Sequence, residues 1–262
     1  MRSKSSTFLL SLLLALALIL QALTAQAAKA PEHPAQELLS QGAAALAQGN
    51  TQLALEKFNE VLKLDPDLPE GYINRGIARM KVEQYVEAVE DFDRAVKLDP
   101  QASEAYYNRA LAYSRSGLYD KAAADYTQAL KFAPKDWQIF YNRGNAYLDQ
   151  GKSDLALADY DQALKINPLA PEAYHNRGLA FLDLKKPVQA LADFDKVLEL
   201  NPNFARANFS KAKALEQLGK KPEAIAAYRR FLQTGDPGAD AVFLQQALEQ
   251  LKTLEGQGAS NK

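Results

Sequence analysis

The chain has 262 residues, 47% of them hydrophobic and 24% charged, with a formal net charge of −1. So even a balance gives no bulk attraction for nucleic acid or an anionic membrane surface. Cysteine is absent, which excludes disulfides, thiolate metal sites, cysteine nucleophiles and a lipidated N-terminal cysteine.

In chain order, the first segment is a leader. Arg2 and Lys4 form a basic start, Phe8 to Leu20 is almost unbroken Leu, Ala and Ile, and Ala25-Gln26-Ala27 follows as a small–x–small triplet. A second such triplet is Ala28-Lys29-Ala30. This order is that of a secretory signal peptide over residues 1–27, with cleavage expected after Ala27 and a linker over 28–34. The rival reading, an uncleaved anchor, has an apolar run short of the roughly 20 residues a bilayer span needs. The expected location is therefore periplasmic or secreted, with the thylakoid lumen or membrane anchorage as alternatives. Contact with a membrane is expected only if the segment is retained.

From residue 35 onward the chain repeats itself. Tyr72-Ile-Asn-Arg-Gly76, Tyr106-Tyr-Asn-Arg-Ala110, Phe140-Tyr-Asn-Arg-Gly144 and Tyr174-His-Asn-Arg-Gly178 recur at a 34-residue step. The closing pairs Asp65-Pro66, Asp99-Pro100, Ala133-Pro134, Asn167-Pro168 and Asn201-Pro202 keep the same step. So do Ala88, Ala122, Ala156 and Ala190, each followed four residues on by Phe92, Tyr126, Tyr160 or Phe194. Within a unit the apolar spacing is helical twice over, as in Tyr72, Gly76 and Arg79 and then Ala88, Phe92 and Ala95. Glu83-Gln84 and Ser116-Gly117 mark short turns, which force antiparallel helices. Each second helix ends before a proline, because the residue preceding proline is pushed out of the α region. Gly76, Gly144 and Gly178, with Ala88 and Ala156, allow close approach of the two helices, and an aromatic ring fills the gap. One hairpin buries too little apolar area to fold alone, so neighbours must stack.

The aromatic, the Gly or Ala four later, the Ala–x–x–x–aromatic pair and the closing Pro resemble the signature of the tetratricopeptide repeat. The resemblance covers residues 35–238 in six frames (35–68, 69–102, 103–136, 137–170, 171–204 and 205–238). It implies an all-α solenoid of tandem antiparallel helix pairs forming a right-handed superhelix, a protein–protein interaction scaffold without enzymatic activity, cofactor or metal. The first frame keeps Leu38, Gly42, Ala54, Phe58 and Pro66 but lacks the Asn-Arg pair. The last keeps Ala212, Ala224 and Tyr228, has Asn208 where an aromatic is expected, and shifts its proline to Pro237. A capping helix is expected over 239–254, carrying Leu244, Ala247, Leu248, Leu251 and Leu254 on one face, and a disordered tail over 255–262.

Two recurrences inside the repeat point to particular roles. Arg75, Arg109, Arg143 and Arg177 are each matched sixteen residues later by Asp91, Asp125, Asp159 and Asp193, whereas the end frames have Gln41 with Lys57 and Lys211 with Ala227. Arginine and aspartate thus come and go together, which predicts a structural ion pair joining the two helices of each hairpin. Such a pair fixes register more than it adds stability, because desolvation offsets much of the attraction. Asn74, Asn108, Asn142 and Asn176 precede those arginines. The resemblance places first helices on the concave face, where the four amides would form a ladder able to donate and accept. That resembles the asparagine ladder by which some members of the family hold an extended peptide; the alternative is that they bridge neighbouring helices. Beside them the same groove is expected to carry Ile73, Tyr107, Tyr141, His175 and Phe209, one position on from a buried aromatic. Ile77, Leu111, Asn145, Leu179 and Lys213 follow four residues later. The clamp variant of the family, which grips C-terminal tails, has lysines where this chain has Glu70, Glu104, Gln138 and Glu172, so no clamp is expected.

Other signals are weaker. Gly144 and Gly151-Lys152-Ser153 are spaced too widely for a phosphate loop. The sequon Asn208-Phe209-Ser210 falls within an expected helix. Lys63, Lys97, Lys131 and Lys165 suit the negative ends of their helices. His33 and His175 are the only histidines and stand far apart in the repeat frame, so no metal centre is expected. The reading favours a protein or peptide partner bound in the groove, with assembly of a complex as the purpose. The alternative is a structural or oligomeric subunit that uses its convex face or end helices.

Overall fold

The computed structural model describes residues 34–259; the expected signal peptide and nearly all of the linker lie outside them. Pro34, placed in the linker above, already opens the first helix. The described helices are α1 Pro34–Ala47, α2 Thr51–Leu64, α3 Pro69–Lys81, α4 Tyr85–Leu98, α5 Ser103–Arg115, α6 Tyr119–Phe132 and α7 Trp137–Asp149. They continue as α8 Ser153–Ile166, α9 Pro171–Asp183, α10 Pro187–Leu200, α11 Ala205–Gln217, α12 Lys221–Thr234 and α13 Ala241–Ala259. Odd-numbered helices to α11 are the first of each unit and even-numbered ones the second, and the described part contains no strand.

Local chemistry explains each boundary. The second helices end at Asp65, Asp99, Ala133, Asn167 and Asn201, whose backbones leave the helical region before the proline. In four units that residue also folds the connection: Asp65, Asp99, Asn167 and Asn201 each accept, through Oδ1, the N–H two residues on. Such Asx turns account for Asp or Asn before the proline, beyond the restriction the proline itself imposes. The turn inside each unit needs one residue in the left-handed region. Gly49, Gly117, Gly151 and Gly219 supply it at φ of 70–78°, while Glu83 and Lys185 adopt φ of 61° and 58° at the equivalent places.

Packing follows from one ring per unit. Phe58, Phe92, Tyr126, Tyr160, Phe194 and Tyr228 are at most 1% exposed. Each lies across the small residue of its first helix; a Cβ on Gly76 would sit 2.6 Å from Phe92 Cε1, too close for any side chain. Consecutive helices pack in chain order. First helices also touch the first helix of the next unit, and no two second helices make an interface of that kind. Closer spacing along α1, α3, α5, α7, α9 and α11 bends the stack so that these helices line its inner, concave side.

The C-terminal end departs from expectation in one respect. Helix α13 closes the stack with Ala247 and Leu251 buried against the last unit, and it runs past Leu254 to Ala259 where a disordered tail was expected. Past Leu254 the helix carries an ion pair from Glu255 to Arg229 at 2.8 Å.

One interior position is mismatched. The side-chain nitrogen and oxygen of Gln150 are both buried without a hydrogen-bond partner. The same place holds Val82, Leu184 and Leu218 in three other units and polar Gln48 and Ser116 in the remaining two. An unsatisfied buried polar group costs about 1–3 kcal/mol. Gln150→Leu is therefore expected to raise the urea midpoint by an amount equivalent to about 1 kcal/mol; an unchanged or lower midpoint would mean the amide is satisfied in solution.

Candidate functional site

The arginines on the first helices are the most heavily bonded side chains of the concave half. Arg75, Arg109, Arg143 and Arg177 reach Asp91, Asp125, Asp159 and Asp193 at 2.6–2.7 Å. In the last three the Nε and Nη2 groups engage both carboxylate oxygens, the paired geometry that suits guanidinium. Burial pushes the Asp193 carboxyl up from its ordinary value, with Arg177 pulling the other way. In the second unit Asp91 also accepts from Arg79 at 2.7 Å.

These arginines do more than close their own hairpins. Arg109 and Arg177 donate from Nη1 to Asp93 and Asp161 on the preceding second helix, at 2.6 and 2.7 Å. Arg75 and Arg143 reach Asn59 and Thr127 in the same way, at 2.8 and 2.9 Å. In the last unit Lys211 takes the place of arginine and pairs with Asp195 at 2.6 Å. Each of the four arginines therefore joins three helices and Lys211 joins two, and the 34-residue register of Asp93, Asp161 and Asp195 was the sequence signal for it. The aromatic three residues earlier is not a core residue, as expected above, but a half-buried platform under the guanidinium. Arg75, Arg109, Arg143 and Arg177 lie 5.4–5.8 Å from the rings of Tyr72, Tyr106, Phe140 and Tyr174.

The four asparagines do not form a uniform ladder. Asn74 and Asn108 donate to the carbonyls of Glu70 and Glu104 one turn back, at 2.8 and 2.9 Å. Asn142 and Asn176 instead bridge units, donating to the hydroxyls of Tyr107 and Tyr141 at 3.0 and 3.2 Å. Asn176 also donates to Asn145 Oδ1 at 2.8 Å. All four remain half-buried at the concave face.

Of the residues expected to stand in the groove beside them, three offer little free surface. Ile73, His175 and Phe209 are 5%, 9% and 6% exposed, so they form its floor rather than free anchors. Ile73 packs with Ala95 and Ala105. His175 packs 5.7 Å from the ring of Phe194 and 5.1 Å from that of Phe204, and Phe209 packs 5.7 Å from Tyr228. Tyr107 and Tyr141 are half-buried by the same kind of contact, with Tyr126 and Tyr160. Ile77, Leu111, Asn145 and Leu179 are half-buried and Lys213 is exposed.

Two concavities of similar size are lined by the groove tyrosines Tyr107 and Tyr141. One, about 390 Å³, is lined by Ile77, Tyr107, Asn108, Asp136 and Ile139 among others. The second, about 380 Å³, takes Tyr141, Asn176, Leu179 and Lys213 together with Phe204, Arg206 and Phe243. Phe204 and Phe243 were not anticipated. Phe243 falls 34 residues after Phe209, so α13 continues the first-helix register that the sequence reading ended at the sixth unit.

His175 at the floor of the second concavity is the titratable feature of this face. Its ring nitrogens meet Asn176 Oδ1 at 3.3 Å and Ser210 Oγ at 3.1 Å. Burial lowers its pKa below the ordinary 6.5, with Arg206 adding to the effect and the Asn176 contact opposing it. The folded state thus takes up this proton less readily than the unfolded chain, so stability is present above pH ~6.5 and is lost as pH falls below it. His175→Tyr, which copies Tyr107 and Tyr141, is expected to lose less stability than the wild type between pH ~7 and ~5. Parallel melting-temperature profiles for the two proteins would contradict that.

Comparison with known proteins places this geometry. Family models described as tetratricopeptide repeat match residues 73–136, 125–158, 171–204 and 205–234, and one described as TPR repeat matches 144–185. No curated protein matches the chain. Among solved structures, a tetratricopeptide repeat protein from Parabacteroides merdae is 20% identical, covers 84% of this chain and 86% of its own, and superposes with a TM-score of 0.69. YrrB, described as a TPR protein with an unusual peptide-binding site, is 22% identical over 74% of this chain and 100% of its own, with a TM-score of 0.62. MamA is 26% identical over 63% of this chain and 96% of its own, with a TM-score of 0.59. At such identities the first two show a shared fold alone.

Proposed function

The chain belongs to the tetratricopeptide repeat family, a family of non-enzymatic protein-interaction scaffolds, and we propose that it binds an extended segment of a partner protein along its concave face after export. The observation that carries the groove reading is the recurrence of half-buried amides beside apolar concavities on consecutive first helices. An extended backbone offers donors and acceptors in alternation, and Asn74 and Asn108, tied only to their own helix, present amides to meet them. The peptide-binding site for which YrrB is described supports the same use of a related fold.

Export rests on the basic start, apolar run and small–x–small triplet of the first 30 residues. No described helix is long and apolar enough to cross a membrane. Mass spectrometry of the protein from its native host should show a chain beginning at Ala28; an intact Met1 on a soluble protein would reject export by this route.

The groove is tested by replacing Asn74 and Asn108 with alanine, which leaves every inter-unit contact of Asn142 and Asn176 in place. Partners recovered on the tagged wild type should be lost from the double variant while its circular dichroism and melting curve are unchanged. Full retention would reject the groove. Retention together with self-association would favour assembly through the outer face of α13, where Val242 and Leu248 are 67% and 49% exposed.

A further inference from the structure

The second concavity differs from the first in what surrounds it, and the difference specifies a ligand. Its walls are Phe204, Phe209, Phe243 and Leu179, contributed by α9, by α11 and the turn before it, and by α13. Phe209 meets Phe243 edge-on, with ring centroids 5.3 Å apart. At about 380 Å³ the space is at the small end of ligand sites, which run from about 300 to 1,000 Å³. That suits one large side chain of a longer segment, and a ring meets the existing rings in the edge and offset geometries that aromatics prefer.

Charges of opposite sign stand at the rim. Glu172 is exposed in the first turn of α9, and Lys213 is exposed on α11 with its Nζ 5.7 Å from the centroid of Phe209. Neither takes part in an ion pair among the described residues, whereas Arg206 is paired with Asp240 at 2.5 Å and donates to the carbonyl of Ala239. Glu70 and Glu104 hold the place of Glu172 in earlier units, also exposed, but neutral Gln138 stands in the unit next to it, so Glu172 is the acidic group local to this pocket.

Resting on the groove reading, we propose that this pocket is the specificity site of the scaffold: it takes an aromatic side chain of the partner segment, flanked by a basic residue paired with Glu172 and an acidic residue paired with Lys213. Charge complementarity sets the flanks and the ring-lined cavity sets the centre.

Fluorescence anisotropy on the full-length chain tests this with short labelled peptides centred on tryptophan. The flanks are one lysine and one glutamate, two lysines, or two glutamates, and a fourth peptide has alanine at the centre. The mixed-charge tryptophan peptide should bind about tenfold more tightly than the other three. Glu172→Lys should move the preference to the doubly acidic peptide, Lys213→Glu should move it to the doubly basic one, and Phe243→Ala should weaken all the tryptophan peptides. Both charge changes are at exposed positions and leave the core untouched. Preferences unmoved by either reversal, an alanine-centred peptide that binds equally, or no binding up to millimolar concentration would each overturn the proposal. Tighter binding of a peptide copying residues 22–33 would assign the pocket to this chain's own N-terminal segment and overturn it as well. The groove reading is judged separately by the Asn74/Asn108 variant, so a pocket that fails while that variant loses its partners leaves the groove standing.

Discussion

Arg143→Leu is expected to destabilise the protein by about 3–5 kcal/mol, and by more than the double substitution Arg143→Leu/Asp159→Leu. Asp159 is 4% exposed and receives two donors from Arg143. Removing the arginine strands a buried carboxylate, whereas removing both leaves two apolar side chains in an apolar setting. Arg143 is the best of the four for this cycle, because its other partner, Thr127, is neutral and Asp159 has no second arginine, whereas Asp91 also pairs with Arg79. Urea denaturation of the wild type, both single variants and the double variant supplies the cycle. A double variant no more stable than Arg143→Leu would show that loss of the arginine strands no buried charge at Asp159 and would reject the pairing. The lost contact to Thr127 is common to both arginine-free proteins and cancels in the comparison.

Phe194→Ala should cost a similar amount, about 3–5 kcal/mol, by a different route. The ring is 0% exposed and packs with Leu182, Ala190 and Ala214, so its removal opens a cavity at a junction between units. A Cβ on Gly178 would lie 2.6 Å from this ring, which shows how closely the two helices meet there. Stability in a stack is a sum over units and their nearest-neighbour interfaces. Both rings meet one junction, Phe194 with Ala214 and Phe58 with Ala78, so Phe58→Ala in the first unit is expected to cost a similar amount. A loss at Phe58 of less than half that at Phe194 by chemical denaturation would contradict the nearest-neighbour account.

The sequence displays the repeating part of this fold openly, because one physical requirement recurs in every unit. A ring such as Phe92 must lie over a residue without a large side chain, such as Gly76, and a proline must stop the second helix. Those constraints write three recurrences in one register. The Arg143–Asp159 contact was legible for the same reason, since both residues vanish together in the end units. What the register could not show is how a side chain divides its bonds. Asp93 and Asp161 stand sixteen residues before Arg109 and Arg177. A first helix lies between two second helices, so its guanidinium reaches both ways.

The concave face was harder to read. Ile73, His175 and Phe209 share a position with Tyr107 and Tyr141, yet their exposure depends on all the neighbours each side chain meets and not on the ring of its own second helix alone. Asn74 and Asn142 likewise occupy one place in the repeat. They bond differently because a tyrosine hydroxyl lies within reach of Asn142 and none is bonded to Asn74. Phe243 escaped notice because α13 carries Gln246 where the repeat calls for a small residue, which hid its continuation of the first-helix register.

The central claim, that partners lie along the first helices, is tested most directly by photo-crosslinking. A photoreactive amino acid is placed in turn at Asn74 and Asn108 on the concave face and at Glu90 and Lys121, exposed on second helices. The account predicts crosslinks to a common partner segment from Asn74 and Asn108 and none from Glu90 or Lys121. Crosslinks confined to Glu90 and Lys121 would contradict it.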